Sequence, residues 1–219
     1  MIRLASGSPR RKQLLALLGA PFEVVPADVD ELAAAQPAVA KAQAVARRGA
    51  VTLAADTMIL LDGERIGKPT GPDAAVAMLR RLAGRIHVVR TEVALIGAAG
   101  QHLTFGVRST VALKPADEPA IRAYVETGEP LDKAGAYALQ GAGASLVAWY
   151  DGCYSNIVGL PVCHAFFGLR RMGVAAPERP EPAFTRAFGF ECPAWRIAES
   201  QGRFLQDGAE YATGEKAER

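Results

Sequence analysis

The stretch HVVRTEVALIGAAGQHLTFGVRSTVALKP, residues 87–115, most restricts the folds open to this chain. Two long runs of apolar and β-branched residues flank the small residues Ala98, Ala99 and Gly100, the pattern of an antiparallel hairpin. On both sides of it, strand-like and helical patterns alternate. Residues 2–5 read as a strand, 9–18 as a helix, 22–26 as a strand and 37–48 as a helix. Residues 51–61 read as a buried strand or pair of strands that stops at the turn signal Asp62–Gly63. Helix 72–82, closed by Gly84, precedes the hairpin; helix 118–125, strand 145–150 and helix 161–172 follow it. Alternation with an inserted hairpin predicts an α/β fold on a mixed β-sheet with flanking helices.

Half of the 219 residues are apolar, enough to bury a core as one large domain or two small lobes. A formal net charge of +2 is too mild for a nucleic-acid coating protein, so no nucleic-acid partner is expected. The three cysteines, Cys153, Cys163 and Cys192, form no CxxC pair and read as reduced thiols of a cytoplasmic protein. No apolar run approaches the ~20 residues of a membrane span, and the strand-like IRLA at the start does not resemble a signal peptide. Residues 175–219 carry 4 of the 14 prolines and no sustained period, with 6 Lys/Arg against 8 Asp/Glu. The domain expected is therefore 1–174, with a Pro-rich linker at 177–182 inside a weakly ordered extension, 175–219. The aromatics Phe184, Phe188, Phe190 and Trp195 could instead dock on the body.

The candidate chemistry begins at LASGSPRRKQLL. Ser8 suits an N-cap and Pro9 the first helical position, which puts Arg10 and Arg11 in the first turn, where the helix dipole repels cations. A phosphate held by the helix N–H groups, the guanidinium forks and the small Ser6–Gly7–Ser8 turn would resolve the conflict. The arginines would then be mildly strained without ligand, so that Arg11→Glu leaves the free protein as stable or more so. The competing reading is a surface helix whose arginines face water. Asp28, Asp30 and Glu31 form a carboxylate cluster of the kind that holds Mg²⁺ or Mn²⁺ beside a phosphate, or else an acidic loop. Asp56 ends the apolar run VTLAAD, where an ionised carboxylate must be paired, metal-bound or at a cleft edge. Lys68 in GERIGKP fails as a phosphate loop of the Walker type, because the glycines are too close and Pro69 replaces Ser/Thr. Lys68 and Lys41 remain candidate phosphate contacts or solvated lysines.

These segments, with MLRRLAGRIHVV, YVETGEPLDKAGAYALQGAG and SNIVGLP, occur in an order and spacing that resembles the Maf family of nucleotide pyrophosphatases over residues 2–173. The resemblance implies an elongated mixed sheet with two lobes around a cleft, similar to inosine-triphosphate pyrophosphatases. It also implies a metal-dependent, cytoplasmic, homodimeric enzyme that splits nucleoside triphosphates into monophosphate and pyrophosphate; some members are described as inhibitors of septum formation. Arg10, Thr57 and Gln140 match the dTTP/UTP branch rather than the 7-methyl-GTP branch, and Gln140 offers a donor and an acceptor suited to a thymine or uracil edge. The implied roles are Asp56 as general base, Glu31 and Asp56 as ligands of Mg²⁺ or Mn²⁺, and Ser6, Ser8, Arg10, Arg11, Lys41 and Lys68 as triphosphate contacts. The alternative is a nucleotide-sensing regulator of cell division with little turnover. Departures from the pattern are Glu92, where Gly is more usual, and Cys153 and Ser155 in a stretch that is usually more polar and aromatic.

Overall fold

The structure, a computed structural model, describes residues 1–31, 33–174, 178–192, 194–202 and 205–213. Strand β1 (Ile2–Leu4) runs through the Ser6–Gly7–Ser8 turn into helix α1 (Pro9–Ala16), followed by β2 (Phe22–Val24), α2 (Pro37–Val45) and β3 (Val51–Leu61). Asp62 and Gly63, with φ of 53° and 83°, make the mirror-image turn that suits strand twist and lead to β4 (Glu64–Ile66). Helix α3 (Pro72–Leu82) precedes the hairpin of β5 (Ile86–Ile96) and β6 (His102–Leu113). Then come α4 (Glu118–Glu126), three short 3-10 turns, β7 (Val147–Asp151), α5 (Tyr154–Val158) and α6 (Val162–Arg171). Residues 51–61 are one strand rather than two. Strand β4 and helix α5 were not legible in the sequence, because three and five residues are too few to show a period.

The sheet has the order β2-β1-β3-β5-β6-β7, with β1 parallel to β2 and β3 and the remainder of that path antiparallel. The chain is thus a mixed α/β fold with helices flanking a central sheet. Two details of β3 position the site. Strand β1 pairs only with residues 51–53 of β3, and β4 only with residues 59–61 on the same edge. Between them that edge has no strand partner among the described residues, and Asp56 and Thr57 stand in the gap. The odd-numbered residues of the long strands share one face. At one end, Leu53, Ala55, Val93, Leu95, Leu103 and Phe105 join α1 and α6 in one core. At the other, Ile59, Leu61, Val89, Val111 and Leu113 join α3 and α4 in a second.

The seam between the cores is polar. Thr57 and Thr91 share a hydrogen bond of 2.9 Å, Thr91 donates to the Asn156 carbonyl at 3.0 Å, and the Asn156 amide donates to Ser109 at 3.0 Å. Buried hydroxyls and amides require such partners, so this network keeps a polar strip inside the sheet and divides the hydrophobic core of that face in two; a third, smaller cluster (Ala38, Ala42, Ala54, Ala94) packs α2 on the opposite face.

Beyond α6 the structure corrects the expectation of a weakly ordered extension for the described residues. Helices α7 (Pro180–Phe188) and α8 (Trp195–Gly202) and strand β8 (Ala209–Ala212) follow, and β8 adds to β6 in parallel from Phe105↔Ala209 to Arg108↔Ala212. Phe184 is 1% exposed within the first core, its ring 6.0 Å from that of Tyr154; Trp195 stacks on Phe167 at 5.7 Å. The described prolines of this region start structure rather than break it. Pro180 occupies the start of α7, where a missing N–H costs nothing, and Gly189 closes the helix in the left-handed region at φ 77°. Pro177 of the expected linker, with residues 175 and 176 of the extension, lies outside the described residues. Among the described residues no helix is long and apolar enough to cross a membrane.

Candidate active site

The gap in the β3 edge opens into a cleft of about 360 Å³. The residues to which the family resemblance assigns roles all line it: Ser6, Ser8, Arg10 and Arg11 at the start of α1, Glu31, Lys41 on α2, Asp56 and Thr57 on β3, Lys68, and Gln140. Of the acidic cluster only Glu31 does so; Asp30 instead accepts from the Ala33 N–H at 3.1 Å, a local turn bond. Asp132, Lys133 and Tyr137 also line the cleft and carried no assigned role in the sequence. Their acidic–basic pair and lone aromatic sit in an irregular segment with no period to mark them.

Asp56 is 3% exposed. Lys41 Nζ lies 2.8 Å from Asp56 Oδ1 and 2.8 Å from Glu31 Oε1, so one ammonium joins the two carboxylates. Arg65 reaches Asp56 Oδ2 at 3.2 Å, and Lys68 reaches Glu31 Oε2 at 3.4 Å. Burial raises the Glu31 carboxyl pKa, but the Lys41 hydrogen bond and charge, with Lys68 behind them, outweigh it and hold the group below its ordinary value. Five cationic side chains (Arg10, Arg11, Lys41, Lys68, Lys133) face three carboxylates (Glu31, Asp56, Asp132) around the cleft. The formal excess of positive charge suits a polyanion.

The conflict at the start of α1 is met partly within the chain. Ser8 caps the helix, accepting from the Arg11 N–H at 3.5 Å. Arg10 faces Asp132 at 3.7 Å across the cleft. Arg11 turns inward: Nε donates to the Gly159 carbonyl at 2.9 Å, Nη1 to Ser6 at 3.2 Å and Nη2 to Thr57 at 3.2 Å. Burial lowers its pKa, opposed by the charges of Asp56 and Glu31. Gly159, which ends α5 at φ 126°, aims that carbonyl into the cleft at a backbone angle that strains any other residue. The view of Arg11 as strained without ligand is therefore corrected, because its guanidinium ties α1, β3 and the end of α5 together.

At the far side of the cleft, Gln140 precedes the turn Gly141–Leu146. Glu129 fixes that turn by accepting from the N–H groups of Ala142 and Gly143, both at 3.0 Å, and from the Tyr124 hydroxyl at 3.0 Å. Beneath the cleft, the Tyr137 hydroxyl meets His87 Nε2 at 2.7 Å, and burial pushes the imidazole pKa down to about 4, leaving it neutral at pH 7.

Two carboxylates converging on one cation position make a donor set that fits Mg²⁺ or Mn²⁺, which take one or two carboxylates and complete their shell with water and substrate phosphates. No group of three His, Cys, Asp or Glu side chains able to hold a metal occurs among the described residues.

Residues 1–172 match the model of the family described as Maf-like protein. A protein of Nitratidesulfovibrio vulgaris named dTTP/UTP pyrophosphatase is 43% identical over 192 residues, 82% of this chain and 91% of that one. Relatives with the same name from Moorella thermoacetica and Myxococcus xanthus are 47% and 46% identical, covering 76% and 82% of this chain and 94% and 96% of theirs. The cleft lies wholly within the matched span, and by that match the chain belongs to the Maf family.

Proposed function

We propose that this enzyme hydrolyses dTTP and UTP to the nucleoside monophosphate and pyrophosphate. One observation carries the reading: the carboxylate pair Glu31–Asp56 on a shared Lys41, in a cleft with excess positive charge, in a chain 43–47% identical to proteins of that name. Water attacks the α-phosphorus in line, its proton passes to Asp56, and the oxygen bridging the α- and β-phosphorus leaves with pyrophosphate. Lys41, Lys68 and Arg10 neutralise the triphosphate, and the α1 turn supplies the Ser6 and Ser8 hydroxyls and backbone N–H groups. Arg11 binds phosphate from a guanidinium already fixed by Gly159, Ser6 and Thr57. Glu31 and Asp56 would hold Mg²⁺ or Mn²⁺, which lowers the pKa of water and screens phosphate charge. Arg10, Thr57 and Gln140 select the pyrimidine. Thr57 does so indirectly, since its hydroxyl is engaged by Thr91 and Arg11.

Three further assignments belong to the same reading. Residues 1–174 form the catalytic body, completed by the extension. The buried, unpaired thiols suit a reducing cytoplasm. A homodimer follows from the family resemblance. The test is product analysis with dTTP, UTP, dATP, dGTP and 7-methyl-GTP, with Mg²⁺, with Mn²⁺ and with chelator. Pyrophosphate release led by dTTP and UTP and abolished by chelator is expected. Orthophosphate as the product, or 7-methyl-GTP leading the panel, overturns the reading, and tight nucleotide binding without turnover identifies a sensor instead.

A further inference from the structure

Asp56 carries a cation on each oxygen, and the two cations are unlike. Lys41 on Oδ1 is 6% exposed in its side chain and is held a second time by Glu31. Arg65 on Oδ2 is 39% exposed, stands on the three-residue strand β4, and spans back from its register position opposite Leu60 to reach Asp56. Only the Arg65 side of this pair meets water, so the guanidinium can be rehydrated when it leaves, while Asp56 keeps Lys41 as a partner. A base that takes a proton from water needs one oxygen free, and Arg65 is the partner able to leave. Two residues past the end of β4, Lys68 lines the cleft, so this segment already borders the place where phosphates would lie.

We infer that Arg65 is a mobile phosphate-binding residue. It covers Asp56 Oδ2 in the free enzyme and passes to the departing pyrophosphate group when substrate enters. That transfer uncovers the base and adds a guanidinium fork where negative charge collects. The inference rests on the pyrophosphatase reading above.

The test compares wild type, Arg65→Gln and Arg65→Lys, with inorganic pyrophosphate and dTMP as separate probes in calorimetry and in product inhibition of dTTP hydrolysis. For Arg65→Gln, pyrophosphate affinity is expected to fall about tenfold to a hundredfold, the range for a lost charge-assisted hydrogen bond, while dTMP affinity stays within twofold. Arg65→Lys keeps the charge without the fork and recovers part of the loss. Unchanged pyrophosphate affinity in Arg65→Gln overturns the inference, as does an equal loss for both probes, which would make Arg65 a prop for Asp56. Failure of wild type to hydrolyse any nucleotide sinks the pyrophosphatase reading instead, and the calorimetry still decides whether Arg65 contacts pyrophosphate.

Discussion

The cleft and the docking surface of the extension bury side chains for opposite reasons. In the cleft, Asp56 and Lys41 are both nearly inaccessible, an arrangement whose desolvation cost offsets much of the Coulomb attraction. Under the extension, Phe184, Trp195, Ala198 and Leu205 complete an apolar core, and each large side chain taken out of water adds roughly 1.5–3 kcal/mol. Buried charge that yields little stability marks function, and buried aromatic surface marks structure. Substitutions in the two regions should therefore separate turnover from stability.

The largest expected effect is on turnover alone. Asp56→Asn keeps the size of the side chain and removes the proton acceptor, so kcat should fall by ~10²–10⁴. Urea unfolding should show a loss well short of the ~3–5 kcal/mol expected when a buried charge is stripped of its partner, because Lys41 keeps Glu31 at 2.8 Å and the half-exposed Arg65 can turn to water. A large stability loss with modest loss of kcat would reverse the comparison. Phe184→Ala is the mirror image. It removes a ring in contact with Tyr154, Phe188 and Phe190, and about 3–5 kcal/mol of stability should be lost while kcat per folded molecule is retained. Equilibrium unfolding with active-site titration measures both quantities. Loss of kcat in a folded Phe184→Ala protein would show that the extension shapes the cleft.

Arg11 belongs to both regions, and its variant sharpens the distinction. Three hydrogen bonds from one buried guanidinium imply that Arg11→Gln lowers the stability of the free protein by about 1–3 kcal/mol, since Gly159 and Ser6 lose a charged donor. Nucleotide binding should weaken as well, so the stabilisation conferred by a non-hydrolysed nucleotide, which follows mass action, should shrink. Thermal unfolding with and without nucleotide separates the two losses. An apo stability equal to wild type would restore the view of a residue waiting for phosphate.

Arg11 also shows where sequence reasoning reached its limit. Its position in the first turn of a helix capped by Ser8 follows from local chemistry, and so does the hairpin, because both are set by neighbours in the chain. The direction of its guanidinium depends on Gly159, which lies 148 positions away, and no local pattern encodes that contact. The same holds for Asp56. An apolar run ending in a carboxylate signals that a partner is needed, but Lys41 and Arg65 become its partners only when α2 crosses the sheet and β4 folds back. The order of the extension is hidden in the sequence for a different reason. Its helices are eight and nine residues long, and the prolines that look like breakers include the residue that starts α7.

The smallest effect is expected where the two regions meet. Asp56, Glu92, Gly106 and Glu210 occupy one row across β3, β5, β6 and β8. Glu92 accepts from the Ala38 N–H at 3.4 Å, at the start of α2, where Gln36 provides no side-chain cap. Arg90 lies 3.7 Å from Glu92 and also pairs with Glu210 of the extension. A carboxylate at a helix N-terminus contributes roughly 0.3–1 kcal/mol, while like charges opposite each other on a sheet cost a similar amount. Lys41 and Arg65 screen Asp56, so the favourable contribution should prevail. Glu92→Gln should then cost less than about 1 kcal/mol, and the loss should shrink at high salt. Turnover should change less than twofold, because Lys41 is held by Asp56 and Glu31 rather than by the first turn of α2. Unfolding and steady-state kinetics at low and high salt make the measurement. A tenfold drop in kcat at unchanged stability would mean that α2 carries the charge state of the extension into the cleft, and the separation drawn between the two regions would not hold.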